Sequence, residues 1–422
     1  MSKRRLRAAT LALLACLALP TLAQDASLTS ARQQIVNATL LDAAGTNIVH
    51  GWIEFADGQI TKVAAGDPPT PAPNVLDARG LTVIPGMIDT HQHLFAYHSL
   101  RSQRATDRHL RRVVRRQLKA TLLQGFTTIA VPGDFGPELF SLRNELANAA
   151  QSGPSLVAAG PFVQARDDHP SATLCAANRF CRDKLAITVA TANEAQQAVR
   201  ALAANGAQLI KAVHDTELQP AVVIDDALIV ALRDAARDTG LPLVMHVRVA
   251  ADLVHLAELG VRRFAHTPLI GELASTPGAE RLAQHEIAVQ TTLSWAAPKA
   301  ARRQPGAKSK AKTRLATGLG NVRYLVDQGI PVAFGTDNPP PLAGRAAATE
   351  LQLLQEVLTP AELLRALTRD AALFLNQQRA VGALRPGMRA DLVLLASDPR
   401  TDPQAWQKVA HVFRGGERVR RR

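Results

Sequence analysis

The sequence predicts an α/β protein: a (β/α)8 barrel of the TIM type with a small β-sandwich domain built from both chain ends. Three features carry this expectation. From Leu81 onward, short apolar runs alternate with amphipathic helical patterns, as in a parallel sheet made of βα units. Eight such runs occur, the number that closes a barrel. Further short strand-like runs precede the first of them and follow the last helix.

The barrel strands are read over 82–88, 127–131, 155–159, 208–213, 242–247, 262–265, 288–291 and 331–334. Between them, 108–124, 137–150, 193–205, 225–239, 250–259 and 318–328 repeat apolar residues at helical spacing. Gly125, Gly206, Gly240, Gly260 and Gly329 each sit just past a helix, where a left-handed cap suits glycine. A doubly wound open sheet is the rival architecture, but no Gly-x-Gly-x-x-Gly turn follows an early strand. Outside the barrel, 34–41, 51–55, 59–63 and 75–77 read as short strands. After a helical stretch at 360–375 come 391–395, 409–414 and 417–420. The ends of a compact core lie close together, so these two sets are expected to pair. The expected organisation is a composite β domain from 24–82 and 376–422, and a barrel of 83–375.

Residues 1–23 stand apart. Lys3, Arg4, Arg5 and Arg7 precede a short apolar stretch, and small residues end at Ala23. This is the pattern of a secretory signal peptide, and it implies a periplasmic or secreted protein. Leu13-Leu14-Ala15-Cys16 also has the look of a lipoprotein box, but the apolar run continues past Cys16. No other stretch is long and apolar enough to be read as a transmembrane helix. In an oxidising compartment Cys175 and Cys181 favour a local disulfide over two free thiols. The 422 residues carry a net charge of +13. Four of those positive charges, and no acid, belong to the leader. Much of the rest is local: 296–317 holds seven basic residues and no acid. It lacks the interleaved aromatics that base stacking needs, so no specific nucleic acid is expected.

Residues that bind metals or handle protons stand at the C-terminal ends of five expected strands. His91 and His93 follow the first, Lys211 lies in the fourth, His246 in the fifth, His266 after the sixth and Asp337 after the eighth. Two imidazoles two residues apart on a strand point the same way and can share one ion. The C-terminal mouth is where a barrel places its chemistry.

His91 and His93 close the first of two longer motifs. VIPGMIDTHQH at 83–93 and GALRPGMRADLV at 382–393 resemble the metal-dependent amidohydrolase superfamily, in its first strand and in its re-entry to the small domain. The resemblance covers nearly all of the chain after the leader. It implies the binuclear subtype, as in imidazolonepropionase-like and prolidase-like members. His91, His93 and Asp337 would hold one divalent ion, and His246 and His266 a second. Lys211 would bridge them as a CO2-derived carbamate, because a plain ammonium has no lone pair to offer. Zinc is the expected ion, with manganese, cobalt or iron left open. On this reading a hydroxide bridging ions about 3.5–4 Å apart attacks an amide carbonyl. Asp337 is then the catalytic proton carrier.

The resemblance implies a small-molecule substrate with a peptide-like or N-acyl amino acid amide. Candidate substrate-binding residues are Arg248, His214 with Asp215, and His169. Arg248 either reaches into the cavity to pair with a carboxylate or belongs to the surface of the next helix. His169, on the long loop after strand three, would cap the pocket. The 296–317 segment is read as a loop that could form a lid. The chain departs from the prolidase-like members around strands three and four, where their glycine-rich loop is not found; this counts against a proline dipeptide. Two rival functions stand beside this one. One is a mononuclear deaminase or cyclic amide or lactone hydrolase on the same fold. The other is a non-catalytic metal-binding scaffold with a basic surface. A homo-oligomer is left open.

Overall fold

The first expected strand, 82–88, divides at Gly86 between two different sheets. In the computed structural model, residues 32–420 are described, apart from 96, 98, 151, 176, 218–221, 298–306 and 338–342. The expected leader with Cys16, and Lys299, Arg302 and Arg303 of the basic segment, lie outside the described residues. The strands β1 (Gln33–Leu41), β2 (Asn47–Ala56), β3 (Gln59–Ala65), β4 (Asn74–Asp77) and β5 (Thr82–Pro85) come first. The barrel region holds β6 (Met87–Asp89), β7 (Phe126–Val131), β8 (Ser155–Ala158), β9 (Phe162–Gln164), β10 (Ala186–Thr188) and β11 (Ile210–Val213). It continues with β12 (Leu243–His246), β13 (Arg263–Ala265), β14 (Ala288–Gln290) and β15 (Val332–Ala333). Last come β16 (Leu392–Leu395), β17 (Val409–Arg414) and β18 (Glu417–Arg418).

Both chain ends meet in one sheet, in the order β18-β17-β16-β5-β1-β2-β3 with β4 also on β1. The central pairing is β5 antiparallel to β16, Val83 opposite Leu394. The sheet folds over a core that includes Ile35, Leu40, Ile53, Phe55, Val83, Leu392 and Phe413. Its two ends meet where the rings of Phe55 and Phe413 pack edge to face with centroids 5.5 Å apart. Gly86 carries the chain out of this sheet and into the barrel. A Cβ there would stand 2.0 Å from Oγ1 of Thr127, so only glycine fits.

In the barrel, β6, β7 and β8 run parallel, and so do β9, β11, β12, β13, β14 and β15 in that order. Backbone bonds join the two groups. Gln208 N–H donates to the Ala158 carbonyl at 2.8 Å, and Thr90 N–H to the Phe334 carbonyl at 2.9 Å. The expected third strand is therefore two pieces, β8 and β9. The interior carries small residues, Ala130, Ala265, Ala288 and Ala333, packed with Phe374 and Leu375 from the end of the C-terminal helix Arg369–Phe374.

All five cap glycines have left-handed φ values, between 71° and 94°. Two helices differ from expectation. The one read over 318–328 spans Ala307–Asp327, so the second half of the basic segment is helix rather than loop. Gly318, read from the sequence as the first residue of that helix, lies in its middle. In the structure a Cβ there would come within 2.7 Å of Leu269 and Leu293, so the glycine serves close packing. The stretch at 360–375 is two helices, Pro360–Leu367 and Arg369–Phe374, divided at Thr368. Among the described residues no helix is long and apolar enough to cross a membrane.

Candidate metal centre

His91, His93, Lys211, His246, His266 and Asp337 line one cavity of about 410 Å³ at the C-terminal ends of the barrel strands. Oδ1 of Asp337 stands 3.3 Å from Nε2 of His91 and 3.1 Å from Nε2 of His93. Its Oδ2 lies 3.7 Å from Nδ1 of His266. Nε2 of His266 in turn lies 2.9 Å from Nδ1 of His246. Donor atoms of His91, His266 and Asp337 all fall within 4.8 Å of one another. The backbone is left-handed at His266 (φ 75°) and Asp337 (φ 51°), an unusual conformation for residues with a Cβ. It is held in part by the Asp337 N–H, which donates to the His91 carbonyl at 2.8 Å.

The far nitrogen of each ring sets its orientation. Gln290 donates through Nε2 to the Thr90 carbonyl at 2.6 Å, so its Oε1 accepts from Nδ1 of His91 at 2.9 Å. The Gly133 carbonyl accepts from Nδ1 of His93 at 2.8 Å. Oδ2 of Asp215 accepts from Nε2 of His246 at 3.1 Å. Carbonyls and carboxylates offer no proton here, so each facing ring nitrogen must carry one. The lone pairs of His91 Nε2, His93 Nε2 and His246 Nδ1 are then left for the centre. Nδ1 of His266 lies 2.8 Å from the Thr292 hydroxyl. Asp89 ties the His91 segment to the one that carries Asp337. It accepts from His91 N–H at 3.0 Å, from Gln92 Nε2 at 2.8 Å and from the Thr336 hydroxyl at 2.8 Å.

Burial and mutual charge set the protonation states. Burial pushes His91 and His266 well below the usual imidazole range. It also lowers His246, against the pull of Asp215. Burial would depress His93 too, but its bond to Asp337 outweighs that and raises it. Burial would raise Asp337, yet His91, His93 and Lys211 hold it far below the usual carboxylate range. Lys211 is pushed down to about 7 by burial, with Asp337 opposing. Its Nζ is buried and has no hydrogen-bond partner among the described residues.

The remaining expected site residues separate. Arg248 lines the cavity and is not a surface residue of the next helix. His169 also lines it, with its ring centroid 5.4 Å from that of His246. Burial lowers its pKa to about 3. His214 does not line the cavity; it is buried, with Nδ1 3.3 Å from the Ile224 carbonyl. It lies an odd number of residues after Lys211 on an extended segment, so the two side chains face opposite ways. Cys175 and Cys181 are joined as a disulfide, Cα atoms 5.5 Å apart. Within that loop, Asn178 donates to the carbonyls of Tyr97 and Leu100 at 3.1 and 2.7 Å, fixing the cavity rim. Phe95, Tyr97, Phe162, Leu174, Leu269 and Trp295 form the apolar walls. Sequence reading missed Asp89, Gln290, Thr292 and Tyr97. The one local signal for Asp89 and Gln290 is a polar residue inside or ending a buried apolar run.

Residues 82–419 match the model of the amidohydrolase family. The chain belongs to that family. An imidazolonepropionase of Chloroflexus aggregans is 28% identical over 379 residues, 78% of this chain and 79% of its own length. The ochratoxinase of Aspergillus niger is 36% identical, but over 98 residues only, 22% of this chain and 20% of its own length. The solved structure of that ochratoxinase superposes with TM-score 0.77 at 19% identity, covering 92% of this chain and 95% of that one. A prolidase in complex with N-methylphosphonate-L-proline gives TM-score 0.77 at 23% identity, covering 93% and 100%. Both share the TIM-barrel amidohydrolase fold. This amidohydrolase is thus a hydrolase of C–N bonds with a small-molecule substrate. The family is generally metal-dependent, and the cavity fits a metal: a carboxylate oxygen and several neutral imidazole nitrogens converge there beside an orphaned buried amine.

Proposed function

We propose that this amidohydrolase is an exported binuclear enzyme that cleaves an amide bond in a peptide-like or N-acyl amino acid substrate. The observation that carries this reading is Lys211: its Nζ is buried without a partner among the ring nitrogens and Asp337, and burial brings it down to about 7. A lysine kept as an ammonium would be a buried charge with no hydrogen bond among the described residues, offset only by the longer-range pull of Asp337. As a neutral amine it can attack CO2, forming an N–C bond and releasing a proton, and the resulting carbamate offers two oxygens. A reading with a single ion leaves this lysine without a role. His91, His93 and Asp337 would hold one divalent ion, His246 and His266 the other, and the carbamate both. Such ions, zinc by the chemistry of the donors, supply Lewis acidity and an activated water.

The chain's own residues supply the rest. Asp337 is the carboxylate of the cavity wall, ionised at neutral pH, and is placed to accept a proton and return it to the leaving nitrogen. Gln290, Gly133 and Asp215 keep the rings in one tautomer. The apolar walls exclude water and receive the apolar part of the substrate. Export is supported by the leader pattern and by the Cys175–Cys181 disulfide.

The test is metal analysis together with Lys211→Ala. About two ions per chain are expected, with activity on N-acyl amino acids or dipeptides that Lys211→Ala abolishes and short added carboxylates partly restore. One ion per chain and an active Lys211→Ala enzyme would overturn the binuclear reading.

A further inference from the structure

The five N–H donors of Arg248 are unequally used. Nε donates to Oδ2 of Asp215 at 2.7 Å, and Nη2 donates to Oδ1 of Asp215 at 3.1 Å and to Oε2 of Glu217 at 2.5 Å. Nη1 has no partner among the described residues, and Arg248 borders the cavity. The guanidinium is a rigid plane, so holding Nε and Nη2 also fixes the direction of the two free Nη1 donors. Its second carboxylate partner is shared with other cations. Glu217 is also bound by Arg314 and approached by Lys310 at 3.9 Å, both from the first turns of helix Ala307–Asp327. The charge of Glu217 is therefore divided between Arg248 and Arg314, with the exposed Lys310 nearby, and is not spent on Arg248 alone. The cavity's own carboxylate, Asp337, is engaged with His91 and His93.

We propose that Arg248 anchors a carboxylate of the substrate through Nη1, and that Glu217, held from its far side by Arg314, is the positioning residue that aims it. The substrate class is then an amide-bearing acid whose carboxylate lies near the cleaved bond and whose apolar part meets Phe95, Tyr97, Phe162 and Leu174. The proposal rests on the amide-hydrolase reading above and narrows it. It also accounts for the basic helix, because Arg314 neutralises Glu217 and so leaves Arg248 with attraction to spare for a ligand.

The experiment compares N-acyl amino acids with their C-terminal carboxamides on the metal-loaded, full-length enzyme. A charge-assisted contact of this kind makes the acid about 10- to 100-fold better in kcat/KM. Arg248→Met brings the acid down towards the amide, and Glu217→Gln raises KM for the acid more than it lowers kcat. Equal turnover of acid and amide by the wild type overturns the anchor, and that comparison needs no variant to fold. Parallel loss of both substrates in Arg248→Met also overturns it, leaving Arg248 as a support for Asp215 alone. If no amide is cleaved at all, calorimetric binding of the same acid and carboxamide decides separately. A preference for the acid that Arg248→Met abolishes keeps the anchor and discards the reaction; equal binding discards the anchor too.

Discussion

Nδ1 of His91 and Oε1 of Gln290 lie 2.9 Å apart, although 199 residues separate them in the chain. The bond crosses the barrel from the exit of β6 to the end of β14. Because the other end of the Gln290 amide is spent on the Thr90 carbonyl, its oxygen has one orientation, and His91 has one tautomer. Gln290→Leu frees the ring to turn and removes both bonds. The expected result is about 10- to 100-fold weaker metal retention, as for other residues that orient metal-bound histidines. Competition against a chelator, followed by metal analysis, reads it directly. Unchanged retention would mean that packing alone orients His91.

That contact also marks where the sequence stops being legible. The residues that converge on the cavity can be read because each ends a local apolar run, and a strand's period tells which way its residues point. The five cap glycines can be read because φ is a local property. Gln290 cannot be assigned to His91, nor Asp89 to Thr336, because each pairing exists only after the barrel closes. His214 is misplaced for a related reason: it is near Lys211 in sequence, but strand parity turns its side chain the other way. The start of the helix read from Gly318 is misplaced too: the helix continues through this glycine, whose close packing against Leu269 and Leu293 overrides its poor helix propensity.

Gly133 supplies the carbonyl that orients His93 and has no room for a side chain. A Cβ would stand 2.2 Å from Cζ of Phe162, which itself packs 5.9 Å from the His93 ring. Gly133→Ala should cost about 1–3 kcal/mol by overpacking and weaken metal retention as well. Gly329→Ala is the control. Its φ is 71° but nothing lies within 4 Å of the added Cβ, so it should cost about 1–2 kcal/mol of backbone strain and leave the metal centre alone. Urea unfolding and chelator competition on both variants separate the two effects. Equal metal retention in the pair would refute the link to His93.

The disulfide closes a short loop, six residues from Cys175 to Cys181. Loop-closure entropy for so short a loop gives about 2 kcal/mol of stabilisation. Its removal should act locally as well, since Asn178 within the loop holds the Tyr97 and Leu100 carbonyls at the cavity rim. The double change Cys175→Ala, Cys181→Ala is expected to lower the denaturation midpoint and raise KM more than it lowers kcat. A loss of stability with unaltered KM would show that the rim does not depend on the loop.

Glu350, on helix Ala343–Leu354, is fully buried and accepts from Leu293 N–H at 2.9 Å and Ser294 N–H at 2.5 Å. It thereby holds the turn that carries Thr292, whose hydroxyl meets His266. Burial raises its pKa from 4.5 to about 7, against the hydrogen bonds it accepts from Thr291, Leu293 and Ser294. A carboxyl whose pKa rises on folding binds its proton more tightly in the folded chain than in the unfolded one. Folding therefore loses stability as the pH climbs from the unfolded value of 4.5 to about 7, and the loss is complete above that window. The full shift corresponds to roughly 3 kcal/mol. Glu350→Gln cannot ionise and escapes this loss. The stability of the wild type relative to Glu350→Gln should thus fall by about that amount between pH 4 and pH 8. Denaturant titrations of both proteins at several pH values measure the difference with other titrating groups cancelled. A difference that stays flat with pH would mean that the accepted hydrogen bonds just offset burial, and one that grows in favour of the wild type would mean that they outweigh it.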